Sequence, residues 1–330
     1  MQAITYTTFG AAQNVLRLQD VENPAPGPGE ICVKLALSGV NPSDVKSRAG
    51  TRPGVTKPAF PLIIPHSDGA GEVETVGAGV DPARIGQRVW IWNGQWQRSH
   101  GTAASHITLP ADQAVPLPKG VGFDVGANLG IPGLTACHAV FGGGDVAGQT
   151  VLIQGGAGTV GLLAVQLAKW GGAKVIASCS PGDRDAVAAA GADAVLNYRA
   201  DDFTAQVLAA NQGNPVDTVI EVEFGINLAN DTQVIAPNGR LATYGSAKDM
   251  QPVVPFGPLL FKAVTIDIIL IYLLPPAPRA AAIERLHQAL ADGALSCPTH
   301  RIYPLADTAA AHEAVERAQR SGAILIDCQG

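Results

Sequence analysis

The chain has 330 residues, 15% of them charged and 47% hydrophobic, with a formal net charge of −6. That length suggests about two domains, and the apolar share supplies a large core and argues against disorder. The acidic balance and the lack of a basic run exclude an electrostatic footprint for nucleic acid or an anionic membrane surface.

Residues 1 to 10 read as a strand and turn, without the charged-then-apolar order of a signal peptide. From there to about residue 123 the pattern is β-rich. Short runs at Glu30 to Ser38, Gly69 to Val76, Arg88 to Ile91 and Ala104 to Leu109 are separated by Pro and Gly. This predicts a small barrel or sandwich with long loops. Asp124 to Phe141 is helical in places, with a break at Pro132-Gly133.

Beyond it, strands and helices alternate. Strands are predicted at Val151 to Gln154, Lys174 to Ala177, Ala194 to Asn197, Thr218 to Glu221 and Arg240 to Tyr244. Helices are predicted at Gly161 to Trp170, Asp183 to Ala190, Asp202 to Ala210 and Ile226 to Ile235. This is the pattern of a doubly wound parallel sheet. Pro258 to Leu274 is the most membrane-like stretch, but it is short, β-branched and carries Lys262 and Asp267. It reads as a buried or interface strand, Val264 to Leu273, at the sheet edge. After Pro275-Pro276 an amphipathic helix runs from Arg279 to Asp292, and Ala323 to Asp327 is a last short strand. Five cysteines (Cys32, Cys137, Cys179, Cys297, Cys328) lack any Cys-x-x-Cys pair. They predict reduced thiols in a cytoplasmic setting.

The chemistry concentrates at Gly155-Gly156-Ala157-Gly158-Thr159-Val160-Gly161, between an apolar strand and a helix. Gly155 permits a tight turn, Gly158 lets the backbone approach a pyrophosphate, and Gly161 lets the helix pack close. The helix N-terminus then faces the phosphates. An NAD site places a carboxylate about 20 residues on, at the ribose hydroxyls. Here that place reads Ser178-Cys179-Ser180, followed by Arg184 and, after the next strand, Tyr198-Arg199. Hydroxyls and guanidinium groups suit a 2′-phosphate, so NADPH is the expected cofactor.

Several segments together resemble the medium-chain dehydrogenase/reductase superfamily, in its zinc-independent quinone oxidoreductase (zeta-crystallin-like) branch. They are Ser38-Gly39-Val40-Asn41-Pro42-Ser43-Asp44, Gly69 to Gly77, Ile85 to Val89 (with Gln87 replacing the family's Asp), Gly133 to Ala136, the glycine loop, Asn197-Tyr198-Arg199 and Ser321-Gly322. The resemblance implies an α/β fold: a GroES-like β-rich catalytic domain, 1–123 and 280–330, plus a Rossmann doubly wound parallel-sheet cofactor domain, 124–279. It implies an active site in the cleft between them.

By that resemblance Asn41 and Thr135 lie near the nicotinamide, Tyr198 contacts the 2′-phosphate end, and Gly245-Ser246 closes over the nicotinamide. Arg317 or Arg320 joins the phosphate. Many quinone reductases carry a tyrosine where this chain has Lys46, and Asn-Pro-x-Asp-x-Lys looks like the enone and enoyl-reductase relatives. Asn41 stands where zinc relatives have a ligating cysteine, and only His66 remains of their ligands. No four-cysteine lobe exists, so no metal is expected.

The expected activity is hydride transfer from NADPH to a quinone or α,β-unsaturated carbonyl. The alternatives are a metal-free alcohol or carbonyl dehydrogenase, or a non-catalytic NADPH-binding sensor or structural protein. The segment after Asn41 is expected to be an irregular loop, on which Asn41 and Lys46 are the candidate donors to the developing oxyanion, with Asp44 orienting the lysine. Asp44 and Lys46 as a plain ion pair is an equal alternative. Trp92, Trp96, Phe256 and Phe261 are candidate walls of the acceptor pocket, or simply core. The apolar edge strand implies a homodimer.

Overall fold

A computed structural model describes residues 1–52, 54–317 and 320–329. The chain divides into two units, Met1–Ile131 with Cys297–Gly330, and Pro132–Ser296. The first unit begins with β1 (Gln2–Thr5), α1 (Ala12–Val15), β2 (Arg17–Asp20), β3 (Glu30–Val40), α2 (Pro42–Ala49), β4 (Asp68–Val76), β5 (Arg88–Ile91), β6 (His106–Pro110), β7 (Ala114–Pro116) and α3 (Phe123–Gly126). The second holds α4 (Leu134–Phe141), β8 (Thr150–Ile153), α5 (Thr159–Trp170), β9 (Lys174–Cys179), α6 (Arg184–Ala189), β10 (Ala194–Asn197), α7 (Phe203–Ala210) and β11 (Val216–Glu221). It continues through α8 (Phe224–Val234), β12 (Ile235–Thr243), α9 (Phe256–Phe261), β13 (Thr265–Ile268) and α10 (Pro276–Ala291). The chain then re-enters the first unit with β14 (Thr299–Pro304), α11 (Thr308–Glu316) and β15 (Ala323–Asp327).

In the first unit β3 is the hub. It pairs antiparallel with β4, β6 and β15, and the main path of the sheet is β14-β15-β3-β4-β5-β7. Ile31, Val33 and Leu35 alternate along β3 and are fully buried, the period-2 pattern of a strand with one face on a core. The last strand closes this sheet, with Ile324 opposite Val40. Right after β3 the chain turns into α2, which Pro42 opens and Gly50, at φ +72°, ends. That Pro-start, Gly-stop asymmetry is the usual one.

The second unit is an all-parallel six-stranded sheet in the order β10-β9-β8-β11-β12-β13. Strand order reverses between β8 and β11, and ligands of such sheets bind outside the carboxyl ends of the strands at that point. β8, Thr-Val-Leu-Ile, is buried throughout, as a strand covered on both faces must be.

Three expectations change. The boundaries expected at 123/124 and 279/280 fall at 131/132 and 296/297: α3 packs on β3, β4 and β5, and α10 packs on α4. The segment after Asn41, expected as an irregular loop, is the helix α2. The edge strand expected over 264–273 is only Thr265–Ile268, followed by a 3-10 turn at Ile271–Leu273. Its surroundings are exposed rather than buried, with Phe261 90%, Ile268 78% and Leu273 63% accessible. Among the described residues, no helix is long and apolar enough to cross a membrane.

Candidate functional site

The glycine loop joins β8 to α5 at the strand-order reversal. Gly155 sits at φ +70°, where an L side chain is strained. A Cβ at Gly161 would lie 2.2 Å from the Gly155 carbonyl and 2.8 Å from Gly156 Cα, so only glycine lets α5 press against the loop. Gly158 is the N-cap, exposed, with Thr159 and Val160 opening the first turn. The N-terminus of α5, with its helix dipole, makes an anion site.

Ser178 does not face this site as the sequence suggested. It is fully buried at the end of β9. Its hydroxyl donates to Gln154 Oε1 at 2.6 Å and accepts the Gly155 N–H at 3.2 Å. Ser180 is half-buried and donates to Asp183 at 2.5 Å. Arg184 is exposed on α6, and Tyr198 is 43% exposed, with the Arg199 guanidinium 4.6 Å above its ring.

Beyond β12, the Gly245-Ser246 segment packs on the turn that follows β11. Phe224 N–H donates to the Gly245 carbonyl at 3.0 Å, and Gly225 N–H to Ser246 Oγ at 2.9 Å. A Cβ at Gly245 would lie 2.5 Å from the Val222 carbonyl. Thr135 is buried in the first turn of α4. Phe256 and Phe261 are 68% and 90% exposed, so neither is core within the unit. Trp92 and Trp96, in the other unit, are half-buried.

In the first unit Asn41 caps α2. Its backbone N–H donates to Asp44 Oδ2 at 2.8 Å, and its side-chain Nδ2 donates to Asp68 Oδ2 at 2.7 Å. Asp68 Oδ1 accepts the Ile131 N–H at 2.8 Å. Burial pushes the Asp44 carboxyl up to about 7, opposed by the Asn41 N–H and by Arg52. Burial, with Asp44 adding, pushes Asp68 well above the carboxylate range, and the Asn41 and Ile131 N–H groups oppose it. Lys46 does not pair with Asp44 as expected. Two residues apart on a helix, they point to opposite sides, leaving Asp44 buried and Lys46 exposed.

A second chain of buried polar groups meets Asp68 from behind. Thr102 Oγ1 donates to the Asp68 carbonyl at 2.6 Å, which uses its only proton. Ser38 Oγ has its acceptors on that side, Thr102 Oγ1 at 2.8 Å and the Asp68 carbonyl at 3.4 Å, and so accepts from His66 Nδ1 at 3.0 Å. Neutral His66 is left with a bare Nε2, which takes the Nε2–H of His312 at 2.8 Å. Burial holds His66 down to about 3 and His312 well below the ordinary histidine range. Of the C-terminal arginines, Arg317 is exposed, and Arg320 donates to the Val315 carbonyl at 3.1 Å.

The sequence did not single out Asp68, His312, Gln154, Glu221 or Asp231. Glu221 carried a readable signal: a carboxylate ending an apolar strand beside the strand-order reversal. The others are polar residues whose partners are far away in sequence.

Residues 27–119 match the family model for the alcohol dehydrogenase GroES-like domain, and residues 159–288 match the model described as zinc-binding dehydrogenase. The quinone oxidoreductase of Rattus norvegicus is 36% identical over 249 residues, 74% of this chain and 73% of that protein. The crystal structure of a Pseudomonas syringae pv. Tomato DC3000 quinone oxidoreductase is 29% identical, with a TM-score of 0.86 over 99% of each chain. That of Escherichia coli quinone oxidoreductase complexed with NADPH is 25% identical, with a TM-score of 0.85 over 99% of this chain and 100% of that one. The chain belongs to the medium-chain dehydrogenase/reductase superfamily of oxidoreductases, in its quinone oxidoreductase group.

One of those family models is named for zinc, and the donor set here does not fit that metal. Both ring nitrogens of His66 are engaged, with Ser38 and His312. The Asn41 amide is not a ligand type for zinc and is held by Asp68. Among the described residues no three His, Cys, Asp or Glu side chains are grouped to hold a metal ion.

Proposed function

We propose that this chain is an NADPH-dependent, metal-free reductase of quinones or α,β-unsaturated carbonyls. The observation that carries the reading is the glycine loop at the β8/β11 reversal, with exposed Arg184 and Tyr198 beyond it. In this reading Gly155, Gly158, Thr159, Val160 and Gly161 hold the pyrophosphate. Ser180, Arg184 and Tyr198 take the 2′-phosphate, while Ser178 braces the loop from inside. Thr135, Gly245, Ser246 and Asn41 belong to the nicotinamide end. NADPH supplies the hydride. The protein's share is alignment and a donor for the oxygen that gains charge. Lys46, exposed on α2, is the cationic donor in this reading, and Asp44 does not set its charge. The alignment of this chain with the quinone oxidoreductase of Rattus norvegicus and the NADPH complex of the Escherichia coli relative support the cofactor and substrate class.

The same reading makes the chain a homodimer. Phe261, Ile268 and Leu273 form an exposed apolar edge at β13, which a second copy would cover. Sedimentation at micromolar concentration should give the dimer mass, and a monomer would refute that part. The activity is tested by NADPH oxidation with a panel of a quinone, an enone and an aldehyde. Turnover with the first two and not the third is expected. Tight NADPH binding without turnover on any would instead favour a sensor or structural role.

A further inference from the structure

Four buried polar side chains connect the glycine loop to the carboxyl end of β11. Ser178, Asp231 and Glu221 have no accessible surface and Gln154 has 2%. Their donors can be counted in one direction. Gly155 N–H donates to Ser178 Oγ at 3.2 Å, and Ser178 spends its proton on Gln154 Oε1 at 2.6 Å. That fixes the Gln154 amide, so Nε2 donates to Asp231 Oδ1 at 3.0 Å.

At the far end Glu221 is surrounded by N–H groups. Asn227 Nδ2 reaches its two oxygens at 3.0 and 3.2 Å, and the Glu223 N–H donates to Oε1. Glu221 is therefore held as the anion. Asp231 Oδ2 is buried, with no donor among the described residues, and its carboxyl is in hydrogen-bond contact with Glu221. Two bare carboxylates in such contact, out of water, repel strongly, and one proton converts the repulsion into a strong hydrogen bond.

We propose that Asp231 is a positioning residue for the dinucleotide loop: a neutral acid whose Oδ2–H donates to Glu221 while Oδ1 anchors Gln154, Ser178 and the Gly155 N–H. Burial pushes both carboxyls up, and Glu221 itself pushes Asp231 further. The direction agrees with the donor count. Glu221 in turn shapes the turn after β11 on which Gly245 and Ser246 pack. One acid thus braces both the pyrophosphate loop and the segment assigned to the nicotinamide end.

The inference rests on the proposed NADPH site, and its test separates the two. Asp231→Asn keeps an acceptor for Gln154 and replaces the O–H donor with an N–H. Asp231→Ala removes both. In the ligand-free protein, hydrogen–deuterium exchange of 155–161 should match wild type in D231N and be faster in D231A. NADPH titrations should give D231N an affinity within about twofold of wild type. D231A should be roughly tenfold or more weaker, the worth of a charge-assisted hydrogen bond, with KM for NADPH raised and kcat little changed. The wild-type minus D231N infrared difference spectrum at neutral pH should show a protonated-carboxyl C=O band, over and above any that Asp44 and Asp68 give in both proteins. If D231A does not fold, that band and the D231N affinity decide the matter. The proposal is overturned if the band is absent, if D231N weakens binding as D231A does, or if D231A leaves loop exchange unchanged. A wild-type protein that fails to bind NADPH, with the exchange pattern and the band as expected, would overturn the proposed cofactor and leave the brace standing.

Discussion

His312 donates its Nε2–H to the bare Nε2 of His66 across 2.8 Å, so two buried imidazoles share one proton between their facing nitrogens. Charging either ring means placing a cation in a dry interior. His66 therefore titrates at about 3 when folded, against an ordinary 6.5 for a histidine in water. Between those values the unfolded chain binds more protons. The pair's contribution is complete above about pH 6.5 and is lost as pH falls, at about 1.4 kcal/mol per unit per histidine. His312→Phe leaves His66 Nε2 buried without a donor and should cost about 1–3 kcal/mol at neutral pH. Denaturant unfolding at stepped pH checks both the slope and the loss.

Asp44 works in the opposite sense. Its carboxyl titrates at about 7 in the folded protein, against an ordinary 3.8 for an aspartate in water. In that window the folded state holds the extra proton, so stability falls as pH rises from about 4 to about 7 and is level beyond. This group and the histidine pair offset one another between about pH 4 and 6.5. Asp44→Asn keeps an acceptor for the Asn41 N–H and removes the titration. Its stability should climb more steeply with pH over that window than wild type's. An unchanged profile would mean that Asp44 is already ionised there.

Gly161→Ala places a methyl 2.2 Å from the Gly155 carbonyl, a contact that backbone cannot absorb without moving the loop. A loss of several kcal/mol in stability, or a more than tenfold drop in NADPH affinity, is the expected outcome of such overpacking. Thermal unfolding and NADPH titration of the variant read these directly.

Cofactor choice divides Arg184 from Ser178. Arg184 is exposed, while Ser178 is sealed behind the loop. Arg184→Ala should raise KM for NADPH roughly tenfold and leave NADH unaffected, as loss of a phosphate contact does. Ser178→Ala breaks the chain that holds Gly155 and should weaken both cofactors alike. Steady-state kinetics with the two cofactors distinguishes these outcomes, and an equal effect of Arg184→Ala on both would remove it from the phosphate site.

The alternation of strand and helix from Val151 to Thr243 was legible because each element carries its own period, and the glycine loop because each glycine answers a local steric demand. Asn41 and Lys46 were legible as residues, but Asp68, which holds the Asn41 amide, was not. On a loop Asp44 could serve Lys46, but Pro42 and Gly50 bound a helix that turns the two apart. Ser178 was read as facing the ribose because a strand end gives no sign of which way its last side chain points. His66, His312 and Asp231 depend on partners brought together by the fold, and no local pattern announces a proton shared across 246 residues.

Hydride delivery from NADPH to an unsaturated carbonyl is read directly with NADPH deuterated at nicotinamide C4. With an enone acceptor, deuterium should be retained on the β-carbon of the saturated product, one per cofactor oxidised. Cofactor oxidation that leaves no deuterium on carbon with deuterium on either C4 face, or a saturated product formed without cofactor consumption, would contradict it.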